Sequence, residues 1–196
     1  MLKTYTLDWN CVIELEEQRP QAASVQSLVD AHRRQEIEVA LLAASASENT
    51  KSKLFPGNAK LFFERVKALG LDDLPLVPMP AIVGLSYFGN AFWVSDAEEF
   101  DRLKSALWAI MAPNVAIKPI DHLPEGQKLT DDAIQSEALS KWRNVWCDVI
   151  SAYSHIHAKR DVFVTSNTKD FQKYRDQLAA LGMPLIMTPT EAAKSY

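Results

Sequence analysis

Acidic side chains stand directly after several strand-like segments of the chain. Asp8 follows KTYTL, Glu48 follows EIEVALLAA at the end of a small polar turn, and Asn167 and Asp170 follow DVFVT. Asp148 lies in the helical segment that precedes DVFVT. Because ligand sites of open parallel sheets form beyond the carboxyl ends of the strands, one edge of a sheet could bring these groups together.

Such a cluster would suit a divalent cation. Crowded carboxylates raise each other's pKa values, and a cation relieves that repulsion. Oxygen ligands without His or Cys favour Mg²⁺ or Mn²⁺ over zinc. A cation held in this way can bind a phosphodiester oxygen and activate a water, which predicts hydrolysis of a nucleic-acid backbone. Acidic residues after strands are, however, also ordinary turn and capping residues, so the pattern alone leaves both interpretations open.

The elements that must position these residues alternate between strands and helices. Strand-type runs are KTYTL, EIEVALLAA, DVFVT and PLIMT. Helical segments are AASVQSLVDAHRR, NAKLFFERVKALG, AEEFDRLKSALWAIM, a long stretch from Thr130 that is expected to be a pair of helices or one helix with a break near Asn144, and KDFQKYRDQLAALG. This alternation, with mostly apolar strands, predicts an α/β fold with a mainly parallel sheet covered by helices on both faces.

The middle of the chain, about residues 72–130, is expected to be an insertion within a single domain that spans 1–196. It is rich in proline, and its clear helix, AEEFDRLKSALWAIM, follows Ser95 with Glu98 three residues on, as in a capping box. Gly70 is expected to stop the helix before it. Residues 75–94 are apolar, but prolines and glycines interrupt them, which argues against a membrane helix.

Composition bounds the class of protein. With 47% hydrophobic residues and a net charge of −4, the chain is typical of a globular protein without a strongly basic coat. Cys11 and Cys147 show no metal-type spacing, so we expect buried thiols in a reducing cytoplasm. His155 and His157 lie two residues apart on a helix and are expected at the surface. The tryptophans are expected in the core.

Four segments resemble the PIN-domain family of metal-dependent ribonucleases, which includes VapC-like toxin ribonucleases. They are TLDWNCVIELEE, SASENT, CDVISAYSHIHAKRDVFVTSNTKDF and IMTPTEAA. The matching regions are roughly 1–65 and 138–192, and about 72–130 matches nothing in the family. The resemblance implies a three-layer α/β/α fold and an acidic pocket that binds Mg²⁺ or Mn²⁺.

The resemblance also implies roles for individual residues. Asp8, Glu48 and Asp148 match the three acidic positions and would be both catalytic and metal-binding. Asn10 matches the polar neighbour of the first position, and Thr165 would support the turn after its strand.

One position departs from the family pattern. The family commonly has an Asp where this chain has Asn167, which binds a cation more weakly and cannot act as a base. Asp170 would either restore the charge as a metal ligand or cap the helix that follows.

The expected function is hydrolysis of single-stranded RNA by a metal-dependent endoribonuclease, as in the toxin of a toxin–antitoxin module. A cognate antitoxin and a second copy of the chain are the further partners considered. The alternative is a catalytically inactive PIN-like module that binds RNA or a protein. A receiver-like phosphoacceptor domain is disfavoured, because the acidic pair and the lysine that it needs do not follow the expected strands.

Basic side chains near the acidic positions are candidates for contacts with RNA, although each is individually expected to be an ordinary solvated charge. Trp9, beside Asp8, could stack on an unpaired base, but core packing is the favoured interpretation. The basic candidates are Lys51, Lys53, Lys60, Lys169, Lys173 and Arg175.

Overall fold

The computed structural model describes residues 2–48, 59–87, 89–167 and 169–196. The strands in these ranges are β1 (Thr4–Leu7), β2 (Glu38–Leu42), β3 (Leu76–Val77), β4 (Met79–Pro80), β5 (Ala91–Phe92), β6 (Val162–Val164) and β7 (Leu185–Met187). Five of them form one sheet in the order β3-β2-β1-β6-β7, and every neighbouring pair is parallel. The predicted parallel sheet is confirmed.

Helices connect and cover these strands. They are α1 (Trp9–Glu16), α2 (Ala22–Arg33), α3 (Lys60–Ala68), α4 (Ala97–Met111), α5 (Asp131–Gln135), α6 (Ser140–His157), α7 (Arg175–Ala180) and α8 (Pro189–Ala192). Short 3-10 turns occupy Ala43–Ser47, Pro119–His122, Glu137–Leu139 and Gln172–Tyr174. No helix in the described ranges is long and apolar enough to cross a membrane.

Alternation of side chains along the strands builds a core on each face of the sheet. Leu7, Leu41 and Val164 pack on one face with residues of α1, α2, α3 and α8. Leu42 and Phe163 point to the other face, where α4, α6 and α7 cover them. Because successive strand residues point to opposite faces, the mostly apolar strands supply both cores. The result is the predicted three-layer α/β/α arrangement.

The middle segment is built into this architecture. Its β3 extends the central sheet beside β2, while β4 and β5 form a separate two-stranded parallel sheet. Helix α4 buries Leu107 and Trp108 in the same cluster as Trp142 and Trp146 of α6. Residues 72–130 therefore share a hydrophobic core with the rest of the chain.

Four local features differ from the sequence-based expectations. The helix expected over KDFQKYRDQLAALG is limited to Arg175–Ala180, because its first residues form a turn and the 3-10 turn Gln172–Tyr174. Helix α1 was not predicted, and it begins directly after Asp8, which caps it. The cap of α4 is Asp96, whose side chain accepts a hydrogen bond from the N–H of Glu99, and not Ser95. The long helical stretch breaks at Ser136, between α5 and the 3-10 turn before α6, and continues unbroken through Asn144.

The two histidines of α6 differ in environment. His157 is exposed as expected, with its ring stacked on Phe92. His155 was expected at the surface and is instead completely buried. Its Nδ1 lies 2.9 Å from the hydroxyl of Thr6 in β1, and burial lowers its pKa to about 3, with the nearby charge of Arg160 adding to the effect. His155 is therefore a neutral core residue.

Candidate functional site

The candidate site lies where the strand order of the sheet reverses. The chain passes from β1 to β2 and β3 on one side and returns to β6 and β7 on the other. Ligand crevices form at this reversal, outside the carboxyl ends of the two strands. Asp8 is the first residue after β1, and Thr165 is the first after β6. The N–H of Asp8 donates to the carbonyl of Val164 at 2.9 Å, which fixes the two strand ends together.

Asp8 is held in one orientation by its neighbours. Its carboxylate is buried, with 2% of the residue exposed. Oδ1 accepts from the N–H of Trp9 at 2.9 Å, as expected for the residue that caps α1. Oδ2 accepts from Asn10 Nδ2 at 2.9 Å and from the hydroxyl of Thr165 at 2.7 Å. Burial raises the pKa of Asp8, and these hydrogen bonds offset part of the effect.

Glu48 and Asp148 lie within electrostatic reach of Asp8. Glu48 follows the 3-10 turn after β2, and Asp148 projects from the middle of α6. Burial raises the pKa of Glu48 well above its ordinary value, and the charges of Asp8 and Asp148 raise it further. Burial likewise raises the pKa of Asp148, with Asp8 and Asp170 adding repulsion. The charge of Asp8 therefore acts on both Glu48 and Asp148, and that of Asp148 acts on Glu48.

The turn after β6 uses Asn167 as a cap. The backbone N–H of Asn167 donates to the Thr165 hydroxyl at 2.9 Å. Its Oδ1 accepts from the N–H groups of Lys169 and Asp170 at 3.2 and 3.1 Å, and its Nδ2 donates to Asp170 Oδ2 at 2.8 Å. Both ends of the Asn167 amide are therefore engaged within the turn. Asp170 contributes the negative charge on this side of the cluster, since it raises the pKa of Asp148.

The carboxylate oxygens at the site are the type of ligand that a hard divalent cation prefers, but in the part of the chain that the structure describes they do not form a preorganised metal site. Clustered carboxylate oxygens are the ligands that Mg²⁺ and Mn²⁺ prefer. Among the residues that the structure describes, however, no three or more His, Cys, Asp or Glu side chains form a group able to hold a metal ion. Metal binding by Asp8, Glu48 and Asp148, with Asn167 or Asp170 as further ligands, stays a prediction.

Arg65 is a cation that the sequence analysis did not single out. It pairs with Glu16 through two hydrogen bonds of 2.9 and 2.6 Å, and its guanidinium lies 4.7 Å from the centre of the Trp9 ring. Its charge lowers the pKa of Glu48, partly offsetting burial. The Trp9 ring is buried against Phe62 with centroids 5.2 Å apart, so it is a core residue and not a platform for a base.

The structure describes four of the six predicted RNA-contacting residues. Lys51 and Lys53 lie outside the described residues. Lys60 is exposed, with its ammonium 3.6 Å from Glu64. Exposed Lys169 and Lys173 flank the turn after β6, whereas Arg175 lines a depression with Glu191 beside β7. Contact of any of these side chains with RNA stays a prediction.

Comparisons with known proteins add no evidence on the identity of the chain. No protein-family model, no curated protein and no solved structure was found to match it. The PIN-domain resemblance therefore rests on the quoted sequence segments.

Proposed function

We propose that this protein is an endoribonuclease that uses Mg²⁺ or Mn²⁺ to hydrolyse phosphodiester bonds of single-stranded RNA. The observation that carries the proposal is the buried Asp8 carboxylate, held by Thr165 at the strand-order reversal, with Glu48 and Asp148 near enough for the charge of Asp8 to raise their pKa values. Burying carboxylates that repel one another costs stability unless protons or a cation compensate. Strongly perturbed carboxyl groups in a crevice are typical of functional sites.

The three carboxylates would hold the cation, and their neighbours would set its position. When bound, the cation supplies an activated water and stabilises charge on the leaving oxygen. Asn10 and Thr165 fix the orientation of Asp8 through its Oδ2. Asp170 adds negative charge to the pocket and keeps Asn167 in the turn. In this role Asn10 and Thr165 are positioning residues.

The proposal extends to biological context through the PIN-domain resemblance. A toxin of a toxin–antitoxin module would act on cytoplasmic RNA and be silenced by a cognate antitoxin. A homodimer is the second proposed assembly. Purification of the chain alone and with a co-expressed neighbouring gene product, followed by light scattering, would test both partners.

Cleavage of RNA by substituted proteins tests the activity. Asp8→Asn and Asp148→Asn should each reduce cleavage of single-stranded RNA in Mg²⁺ or Mn²⁺ by roughly 100-fold or more, because metal stabilisation of the transition state is worth several kcal/mol. Asp176→Asn is the matched control, since that side chain is 99% exposed. Equal cleavage by wild type and both site variants would reject the assignment.

A second candidate function is a PIN-like module that binds RNA or a protein without cleaving RNA. Two observations favour it: the engagement of the Asn167 amide in its turn, and the lack of a ready-made ligand group among the described residues. Such a module should bind no divalent cation specifically. RNA binding without metal-dependent cleavage would select this candidate.

A further inference from the structure

One tryptophan lies outside the core, in the part of the chain that the PIN-domain resemblance does not cover. Trp93, directly after β5, is 86% exposed, whereas the other four tryptophans are at most 5% exposed. Val83, in the loop between β4 and β5, is 85% exposed. Burial of a large apolar side chain is favourable. Neighbouring large apolar side chains that remain exposed therefore mark a binding surface.

Trp93 and Val83 border a pocket of about 200 Å³ whose other walls include Tyr87, Ile82 and Ala91. The pocket has the volume of roughly seven waters, which suits one flat ring system and is too small for a partner helix. The exposed aromatic face and the apolar walls match the way in which proteins bind unpaired bases.

A hydrogen bond joins the loop that carries the pocket to the turn that leads into Glu48. The hydroxyl of Ser47, one residue before Glu48, donates to the carbonyl of Leu85 in the pocket loop at 2.5 Å. A strand of RNA held at Glu48 would therefore lie beside the loop that carries this pocket.

A second depression adjoins the first pocket. It shares Ile82 and Val83 with the first pocket and has a volume of about 340 Å³. Exposed Lys118 lines it and places positive charge where the next phosphate of a bound strand would pass. Lys104 also lines it but is paired with Asp101, so Lys118 is the better candidate for phosphate contact.

We propose that the pocket between Trp93 and Tyr87 binds one unpaired base of single-stranded RNA, with the base stacked on the Trp93 ring. This inference rests on the proposed function, because it names how the same substrate is held beside the acidic cluster. Trp93 is a positioning residue in this account and takes no part in the chemistry.

The test measures binding of a short single-stranded RNA and of the same oligomer with abasic nucleotides, in an Asp148→Asn background that prevents cleavage. Trp93→Ala should weaken RNA binding by about 5- to 150-fold, the range for loss of one base–aromatic stack. It should leave binding of the abasic oligomer unchanged. Trp93→Phe should restore most of the affinity, and Leu2→Ala, at an exposed apolar residue before β1, should have no effect.

Other results would overturn the base pocket. Unchanged RNA affinity in Trp93→Ala would reject it while leaving the nuclease proposal intact. Absence of RNA binding in the background protein would also reject it, and cleavage by the wild type would then decide the proposed function separately. Loss of self-association in Trp93→Ala, seen by light scattering with RNA affinity unchanged, would assign the pocket to a protein contact instead.

Discussion

Substitution of Thr165 tests whether the end of β6 holds Asp8 in place. The Thr165 side chain is completely buried, and its hydroxyl donates to Asp8 Oδ2 at 2.7 Å while accepting from the N–H of Asn167 at 2.9 Å. Thr165→Val keeps the shape of the side chain but removes both hydrogen bonds. A bond to a carboxylate is worth about 1.5–3 kcal/mol and a neutral one about 1 kcal/mol. We therefore expect a loss of about 2–4 kcal/mol in the free energy of unfolding at neutral pH.

Thr165→Ser is the matched control. It keeps the hydroxyl and removes one methyl group, so it should cost only about 1 kcal/mol. Urea unfolding of the two variants and of wild type, followed by circular dichroism, measures both values. Equal losses in the valine and serine variants would show that the hydroxyl does not hold Asp8, and the description of the site would then be wrong.

The pH dependence of the valine variant provides a second readout. Burial raises the pKa of Asp8, so the carboxyl becomes protonated in the folded protein at a pH above its ordinary range. The charge-assisted bond to Thr165 is then replaced by a weaker neutral one. The cost of Thr165→Val should therefore shrink as the pH falls through the pKa of Asp8, and a constant cost would contradict this prediction.

Three further predictions concern other buried or paired charges. Burial raises the pKa of Asp148 above its unfolded value of about 4, so the ionised carboxyl destabilises the fold increasingly as the pH rises from that value. Asp148→Asn should therefore be more stable than wild type at neutral pH in metal-free buffer, by a margin that shrinks as the pH falls towards about 4, measured by urea unfolding. Burial lowers the pKa of His155 to about 3. The free energy of unfolding of wild type should therefore fall by about 4 kcal/mol as the pH falls from about 6.5 towards 3, and His155→Gln should not show this part of the acid sensitivity. Arg160 pairs with Glu38 at 2.6 Å and donates to the carbonyl of Tyr5. Arg160→Lys should therefore lower the free energy of unfolding by about 2 kcal/mol, seen as a fall of about 4–8 °C in Tm by calorimetry.

The strands of the sheet could be predicted because their sequences carry the signal themselves. DVFVT and EIEVALLAA are apolar runs bounded by polar turns, and they became β6 and β2. The end of α3 before Gly70 was also predictable, because glycine readily adopts the positive φ at which many helices end. The φ of Gly70 is +65°. In contrast, β3 has only two residues between prolines, and its pairing with β2 depends on the packing of the whole sheet.

Helix α1 was missed because local propensity and tertiary context disagree there. Val12 and Ile13 are β-branched and favour strands, but α1 buries Val12 against the sheet and is capped by Asp8. His155 was misplaced for a similar reason. Its hydrogen-bond partner, Thr6, is 149 residues away in the chain, and helical spacing cannot reveal such a contact.

The candidate site was predictable in its residue types and not in its geometry. The positions of Asp8 and Thr165 at strand ends follow from the sheet, and the fold brings Glu48 and Asp148 towards them. The engagement of Asn167 within its turn depends on backbone N–H groups that its own sequence does not specify. The exposure of Trp93 was unexpected, because composition favours burial of tryptophan.

Titration with Mn²⁺ tests the central claim that distant carboxylates share one cation. Isothermal titration calorimetry of wild type should show specific binding of about one equivalent, weakened at least 10-fold in Asp8→Asn and in Asp148→Asn. Asp176→Asn should bind as wild type does, because its side chain is solvated away from the cluster. No specific binding to wild type, or equal binding by all four proteins, would contradict the claim.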